Sequence, residues 1–149
     1  MPDTETWTLA VHATATWSMV GVIWFVQVVH YPLVLGRFAQ ALGDEARSLQ
    51  SLHMQRTTYV VAPLMFAEAT TAVGLWAMER SLLTTLGLLA LAICWGSTAL
   101  FQVPCHRRLE ESFDQSIADR LVRSNWIRTI AWSTRGLLAA WIWLEAGLG

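Results

Sequence analysis

The sequence predicts an all-α integral membrane protein: a bundle of four transmembrane helices, with an interfacial amphipathic segment in the first and third connections. Three observations predict it. Apolar residues fill 54% of the 149 positions and charged residues only 14%, against about 25% charged in soluble proteins. Four stretches are nearly free of charge: Thr6–Val29 with only the neutral His12, Tyr59–Met78 with Glu68, Ser81–Cys105 with none, and Trp126–Leu144 with Arg128 and Arg135. Each is long enough for the roughly 20-residue helix that crosses a bilayer. Finally, Leu82–Val103 has no polar stripe, which every helix of a water-soluble bundle needs. One membrane domain over 1–149 is expected, with spans at about 10–31, 57–78, 82–104 and 126–146.

The same totals exclude other classes. Ten arginines, no lysine and eleven carboxylates sum to −1, so the basic excess of a nucleic-acid binder is missing. Two cysteines are too few for a disulfide scaffold, and so apolar a chain is not disordered. The lipid bilayer is the expected surrounding.

The first span, about Trp7 to Tyr31, is expected to persist as a helix. Asp3 and Glu5 precede it where a cleaved signal has basic residues, and no small-residue cleavage site comes before His30. Pro32 is expected to restart the chain. Gly43-Asp44 reads as a break, and Asp44–Arg56 as an amphipathic helix leading into span two. Pro63 removes a donor inside that span and leaves the Tyr59 carbonyl without its helical partner. Glu79-Arg80 begins a tight turn. Span three is expected to end near Pro104, Cys105–Val122 to form a charged amphipathic segment, and span four to open near Asn125. Trp7, Trp76, Trp126 and Trp143 sit near span ends, where tryptophan anchors helices at the interface. No internal repeat is apparent.

Arginines set the orientation. The first connection holds Arg37, Arg47 and Arg56, and the third holds Arg107, Arg108, Arg120 and Arg123, whereas the opposite side has Arg80 alone. Basic residues collect on the cytoplasmic side. Both termini are therefore expected outside the cytoplasm, in a bacterial inner membrane.

This topology gathers polar residues at one end. His30 closes span one, His53 precedes span two and His106 follows span three, so three segments bring an imidazole to the cytoplasmic end. His12 lies at the other. Three histidines suffice for a metal with an open coordination position: iron first, with zinc or copper as alternatives, or a haem held by His30 and His106. Ordinary interfacial histidines are the competing reading. Gln27 and Gln102 lie three and four residues from His30 and His106, on shared helix faces, and would bind or orient the cofactor. Cys105 reaches the same ion as His106 only if the helix has ended at Pro104. Cys94 reads as a packing residue, and no disulfide is expected.

Deeper in the bundle, Glu68 and Arg135 lie nine residues into spans two and four. Isolated charges in hydrocarbon are costly and pair inside bundles, so the two are expected to meet. Asn125, Arg128, Trp132 and Arg135 form one stripe of span four that faces inward. Asn125, Arg128, Glu68 and Arg135 are the candidate catalytic residues, with Arg128 stabilising negative charge on a substrate. A salt bridge that merely fixes helix register is the rival reading.

Four stretches carry a resemblance: Gln27-Val28-Val29-His30-Tyr31-Pro32-Leu33, Arg56-Thr57-Thr58-Tyr59-Val60-Val61-Ala62-Pro63, Gln102-Val103-Pro104-Cys105-His106-Arg107-Arg108-Leu109, and Asn125-Trp126-Ile127-Arg128-Thr129 with Trp132 and Arg135. With them the chain resembles a family of small, largely uncharacterised bacterial four-span integral membrane proteins, over nearly its whole length. It is more loosely similar to four-span anthrone-oxygenase-like membrane proteins, in architecture and in a polar set near one membrane face. The expectation is a metal-dependent oxidoreductase acting on a lipophilic small molecule at the cytoplasmic side. The alternative is an accessory or pigment-binding subunit, in a homo-oligomer or a larger membrane complex.

Overall fold

The computed structural model describes residues 3–39 and 44–148, apart from the side chains of Phe38, Asp44, Ala46, Arg47 and Leu148. The expected break at Gly43 and the side chain of Arg47 lie outside the described residues. The chain is an all-α four-helix bundle. Its elements are α1 (Thr4–Phe25), a π-helical turn (Val26–His30), α2 (Tyr31–Phe38), α3 (Asp44–Met78), α4 (Leu82–Ser97), a second π-helical turn (Thr98–Gln102), α5 (Val103–Glu111) and α6 (Gln115–Leu148).

Side chains define the helix starts. The Asp3 carboxylate accepts from the Thr6 backbone N–H at 2.8 Å and so caps α1. Ser81 and Thr84 form a reciprocal capping box on α4. Before α6, one Asp114 oxygen accepts from the hydroxyl and backbone N–H of Ser116, both at 2.7 Å, and from the N–H of Ile117 at 3.3 Å. The Ser116 hydroxyl first, then the two amides, hold the Asp114 carboxyl below its usual range.

Two of the prolines act otherwise than expected. Pro32 and Pro104 do not stop their helices. Each sits two residues beyond a π turn, in which the N–H of Tyr31 reaches back five residues to the Val26 carbonyl and that of Val103 to Thr98. A π turn is a helix carrying one additional residue; it widens the backbone where a proline ring would otherwise press on the carbonyl four residues before it. Pro63 lies inside α3, as expected, and the helix continues through it. The amphipathic stretches of the first and third connections are helical and run on into the long helices. Residues 44–56 open α3, residues 103–111 prolong α4, and residues 115–122 open α6.

An internal duplication also emerges. Val26 and Thr98 begin the two π turns and Pro32 and Pro104 follow them, in each case 72 positions apart, and each unit is completed by one long helix, α3 or α6. The molecule is two helical hairpins of one build.

α1 packs on α3 and α6, and α4 on α6 and α3. α1 and α6 approach closely at Gly136, where a Cβ would come within 3.0 Å of Val20. Met19, Ile23, Met65, Cys94 and Trp132 fill the middle of the bundle, while Tyr31, Cys105, Leu109, Ala118 and Leu121 fill the end near the long connections. The outer face is apolar: Leu82, Leu100 and Leu137 are 68–73% exposed. Three stretches, Thr4–Arg37, Ser48–Met78 and Leu82–Glu111, are long and apolar enough to cross a membrane. On α6 the two mid-helix arginines are buried, and Ile130, Leu137, Trp141 and Leu144 face outward.

Candidate functional site

The three histidines converge. α1 and α3 run antiparallel, so the π turn of one delivers His30 opposite His53 of the other, and α5 brings His106 alongside. Ring centroids lie 4.6 Å apart for His30 and His53, which are stacked, and 5.7 Å apart for His53 and His106. His30 Nε2 is 3.0 Å from His53 Nδ1, so one of these nitrogens carries the shared proton. Thr57 also reaches His53 Nδ1 at 3.3 Å.

His106 heads a longer chain of hydrogen bonds. Gln50 Nε2 donates to His106 Nδ1 at 2.9 Å. That leaves Nε2 as the protonated nitrogen, facing the Tyr31 hydroxyl across a long 3.5 Å. Tyr31 donates to Gln102 Oε1 at 3.1 Å, and Gln102 Nε2 donates to Ser124 at 2.9 Å. Gln102 thus meets His106 through Tyr31. Gln27 does not back His30 as expected, because α-helical facing fails across a π turn. Its Oε1 accepts from Asn125 Nδ2 at 2.8 Å and its Nε2 donates to the Val122 carbonyl at 3.4 Å, both on α6. Among the described residues, no group of three or more His, Cys, Asp and Glu side chains is placed to hold a metal ion as it stands.

Cys105 turns away from the cluster, since its helix continues past Pro104. It is buried with Tyr31, Leu109 and Leu121. Both cysteines are unpaired with each other.

The stripe of α6 faces inward throughout: Asn125, Arg128, Trp132 and Arg135 are all buried. Arg135 forms an ion pair with Glu68 and donates to the Gly87 carbonyl. Thr16 adds a bond to the same Glu68 oxygen at 3.4 Å, and His12 bonds Thr71 at 3.1 Å one turn beyond. Among the described residues Arg128 has no such carboxylate. Its Nη1 donates to Asn125 Oδ1 at 3.2 Å, and its Nε is buried without a partner. Glu68 lies 15 residues along α3 from His53, about 22 Å at 1.5 Å per residue, so the ion pair and the histidines are separate centres.

Beside the histidines, a groove of about 930 Å³ runs between α1–α2 and α3. This is within the range of small-molecule sites. Gly21, Val22, Phe25, Val60 and Val61 line its inner half; His30 and His53 form its waist, Arg56 and Thr57 stand beside them, and Arg37 lies at its outer end.

Sequence reasoning missed Tyr31, Gln50, Thr57, Arg37 and Arg56 as site residues. Gln50 and Thr57 were findable, three and four residues from His53 on its helix face. The two arginines carried a signal only as votes for orientation.

No family model, curated protein or solved structure matches this chain.

Proposed function

We propose that the chain is a metal-dependent integral membrane enzyme, an oxidoreductase whose lipophilic substrate lies in the groove between α1–α2 and α3. It would sit in a bacterial inner membrane with four spans, both termini outside the cytoplasm and the groove open at the cytoplasmic side. The observation that supports this reading is the convergence of three imidazoles from three elements, two of them in the wall of a ligand-sized apolar groove. His30, His53 and His106 would hold a divalent metal, iron first, and three protein ligands leave positions for substrate or water. Gln50 and Tyr31 would orient His106, the part outer hydrogen bonds play at metal sites. Gln27, Gln102 and Asn125 would fix α6 and α4 behind the cluster, with Arg128 as the buried positive charge next to it. Glu68 and Arg135 would clamp the far end of the bundle.

The test is elemental analysis with an absorption spectrum on detergent-purified protein, beside a variant with His30, His53 and His106 all changed to alanine. We expect close to one iron, zinc or copper per chain, absent from the variant. A haem spectrum lost in the variant would replace the metal with a haem and favour the pigment-binding reading. Protein that stays empty when supplied with each metal would overturn the proposal.

A further inference from the structure

The duplication shows what the groove lacks. Moved on by 72 positions, the groove residues Val22, Phe25, His30, Arg56 and Val60 become Cys94, Ser97, Gln102, Arg128 and Trp132, and all five of these are buried. The first hairpin covers this face of the second. It does so with polar groups as well as apolar ones: Tyr31 donates to Gln102, and Gln27 accepts from Asn125. The corresponding face of the first hairpin has no such cover and forms the groove.

A second copy docking in the same manner fits it poorly. The counterparts of Gln27 and Tyr31 are Ala99 and Val103, which offer no side-chain polar atom to His53 or His30, the counterparts of Asn125 and Gln102. The groove calls instead for a long apolar body with a charged end. Among the described residues its lining includes Arg37 and Arg56 and no carboxylate, and neither arginine forms an ion pair with another described residue. Arg56 is three residues further along α3 than His53, about 4.5 Å along the axis, where the connection gives way to the apolar walls of the groove. Beyond it the walls are apolar, and at Gly21 a Cβ would meet nothing within 4 Å.

From this geometry we infer that the groove binds a single-chain amphiphile with a carboxylate head, the head on Arg56 beside the histidines and the chain running toward Gly21. A guanidinium matches a carboxylate with two parallel hydrogen bonds, and one arginine at the waist requires one negative charge. Arg37 at the outer end attracts the same charge as the ligand enters. The inference rests on the groove being the substrate site and does not depend on the metal.

The experiment measures binding of radiolabelled hexadecanoate and of hexadecanol, equal in chain length, to metal-free protein in detergent. Wild-type protein should prefer hexadecanoate by about ten- to a hundredfold, the range of one charged hydrogen-bonded contact. Arg56→Gln should remove that preference and leave hexadecanol binding within about twofold. Gly21→Phe, which points a ring into the groove, should weaken both ligands. Equal binding of the two ligands to wild-type protein, both sensitive to Gly21→Phe, would keep the groove and overturn the carboxylate. Binding indifferent to Gly21→Phe would overturn the groove as the site, and with it the substrate half of the functional proposal. Preference for an anionic phospholipid over hexadecanoate in competition would show that the head is a phosphate and overturn the inference as stated.

Discussion

Two arginines on one stripe of α6, seven residues apart, are held in opposite ways. Arg135 faces a carboxylate and a backbone carbonyl, whereas Arg128 has one amide oxygen; the Nε of each is buried without a partner among the described residues. Removing one member of a buried ion pair leaves an uncompensated charge and costs about 3–5 kcal/mol, while replacing both members with apolar groups is often neutral. Arg135→Met should therefore lower the thermal midpoint in detergent sharply, and adding Glu68→Gln to it should restore most of the loss. Arg128→Met should leave the midpoint unchanged or raise it, since a desolvated guanidinium without a counter-charge contributes little to stability. A drop as large as that of Arg135→Met would mean that Arg128 is a structural brace and not a charge kept for a ligand. The pairing of Glu68 with Arg135 was legible in the sequence because both spans enter from one face and depth can be counted along each. The isolation of Arg128 was not, since it depends on which neighbours α1 and α4 turn toward it.

At the scale of elements, the helices were legible from their charge gaps and their ends were not. A proline after an apolar run permits a stop, a kink or a five-residue turn, and the local sequence does not choose among them. Packing chooses, because α1 and α2 must both stay on α3. The choice had consequences at the site: an α-helical count put Gln27 with His30, and a helix ending at Pro104 left open a pairing of Cys105 with His106 that the continuous helix removes. Since a π turn holds one additional residue, deleting Val28 together with Pro32→Ala should turn the segment into plain α-helix and preserve the facing of α1 and of α2. We expect a folded protein whose thermal midpoint falls by only several degrees, with the contact between His30 and His53 lost. Deleting Val60 from α3 is the contrast. It rotates one half of an unbroken helix by about 100° against the other, so His53 and Glu68 cannot both keep their partners, and no monodisperse protein should be recovered. Equal damage from the two deletions would show that the π turn is a fixed part of the packing.

For the whole molecule, the duplication explains why the chemistry sits at one end. Two hairpins of one build that follow each other through a short turn run parallel, so both longer connections emerge together, each with its share of the arginines. The same geometry brings His30, His53 and His106 to that end, because in each hairpin the π turn stands just before the connection. The repeat escaped the sequence because most of its matched positions have changed chemistry: His30 corresponds to Gln102 and His53 to Asn125, and besides three apolar pairs (Ala46 with Ala118, Leu49 with Leu121, Ala67 with Ala139) only Pro32 with Pro104 and Arg56-Thr57 with Arg128-Thr129 keep their identity. Parallel hairpins put the two arginine-rich connections at one end of the bundle and Arg80 at the other, the distribution on which the proposed orientation rests. Single-cysteine labelling tests this directly, as Cys94 and Cys105 are buried and Glu79 and Ser112 are exposed. With Glu79→Cys, a membrane-impermeant maleimide should label intact cells. With Ser112→Cys, labelling should require permeabilised cells. The reverse pattern would place the histidines and the groove mouth outside the cytoplasm, and the substrate would then have to be sought among extracytoplasmic lipids.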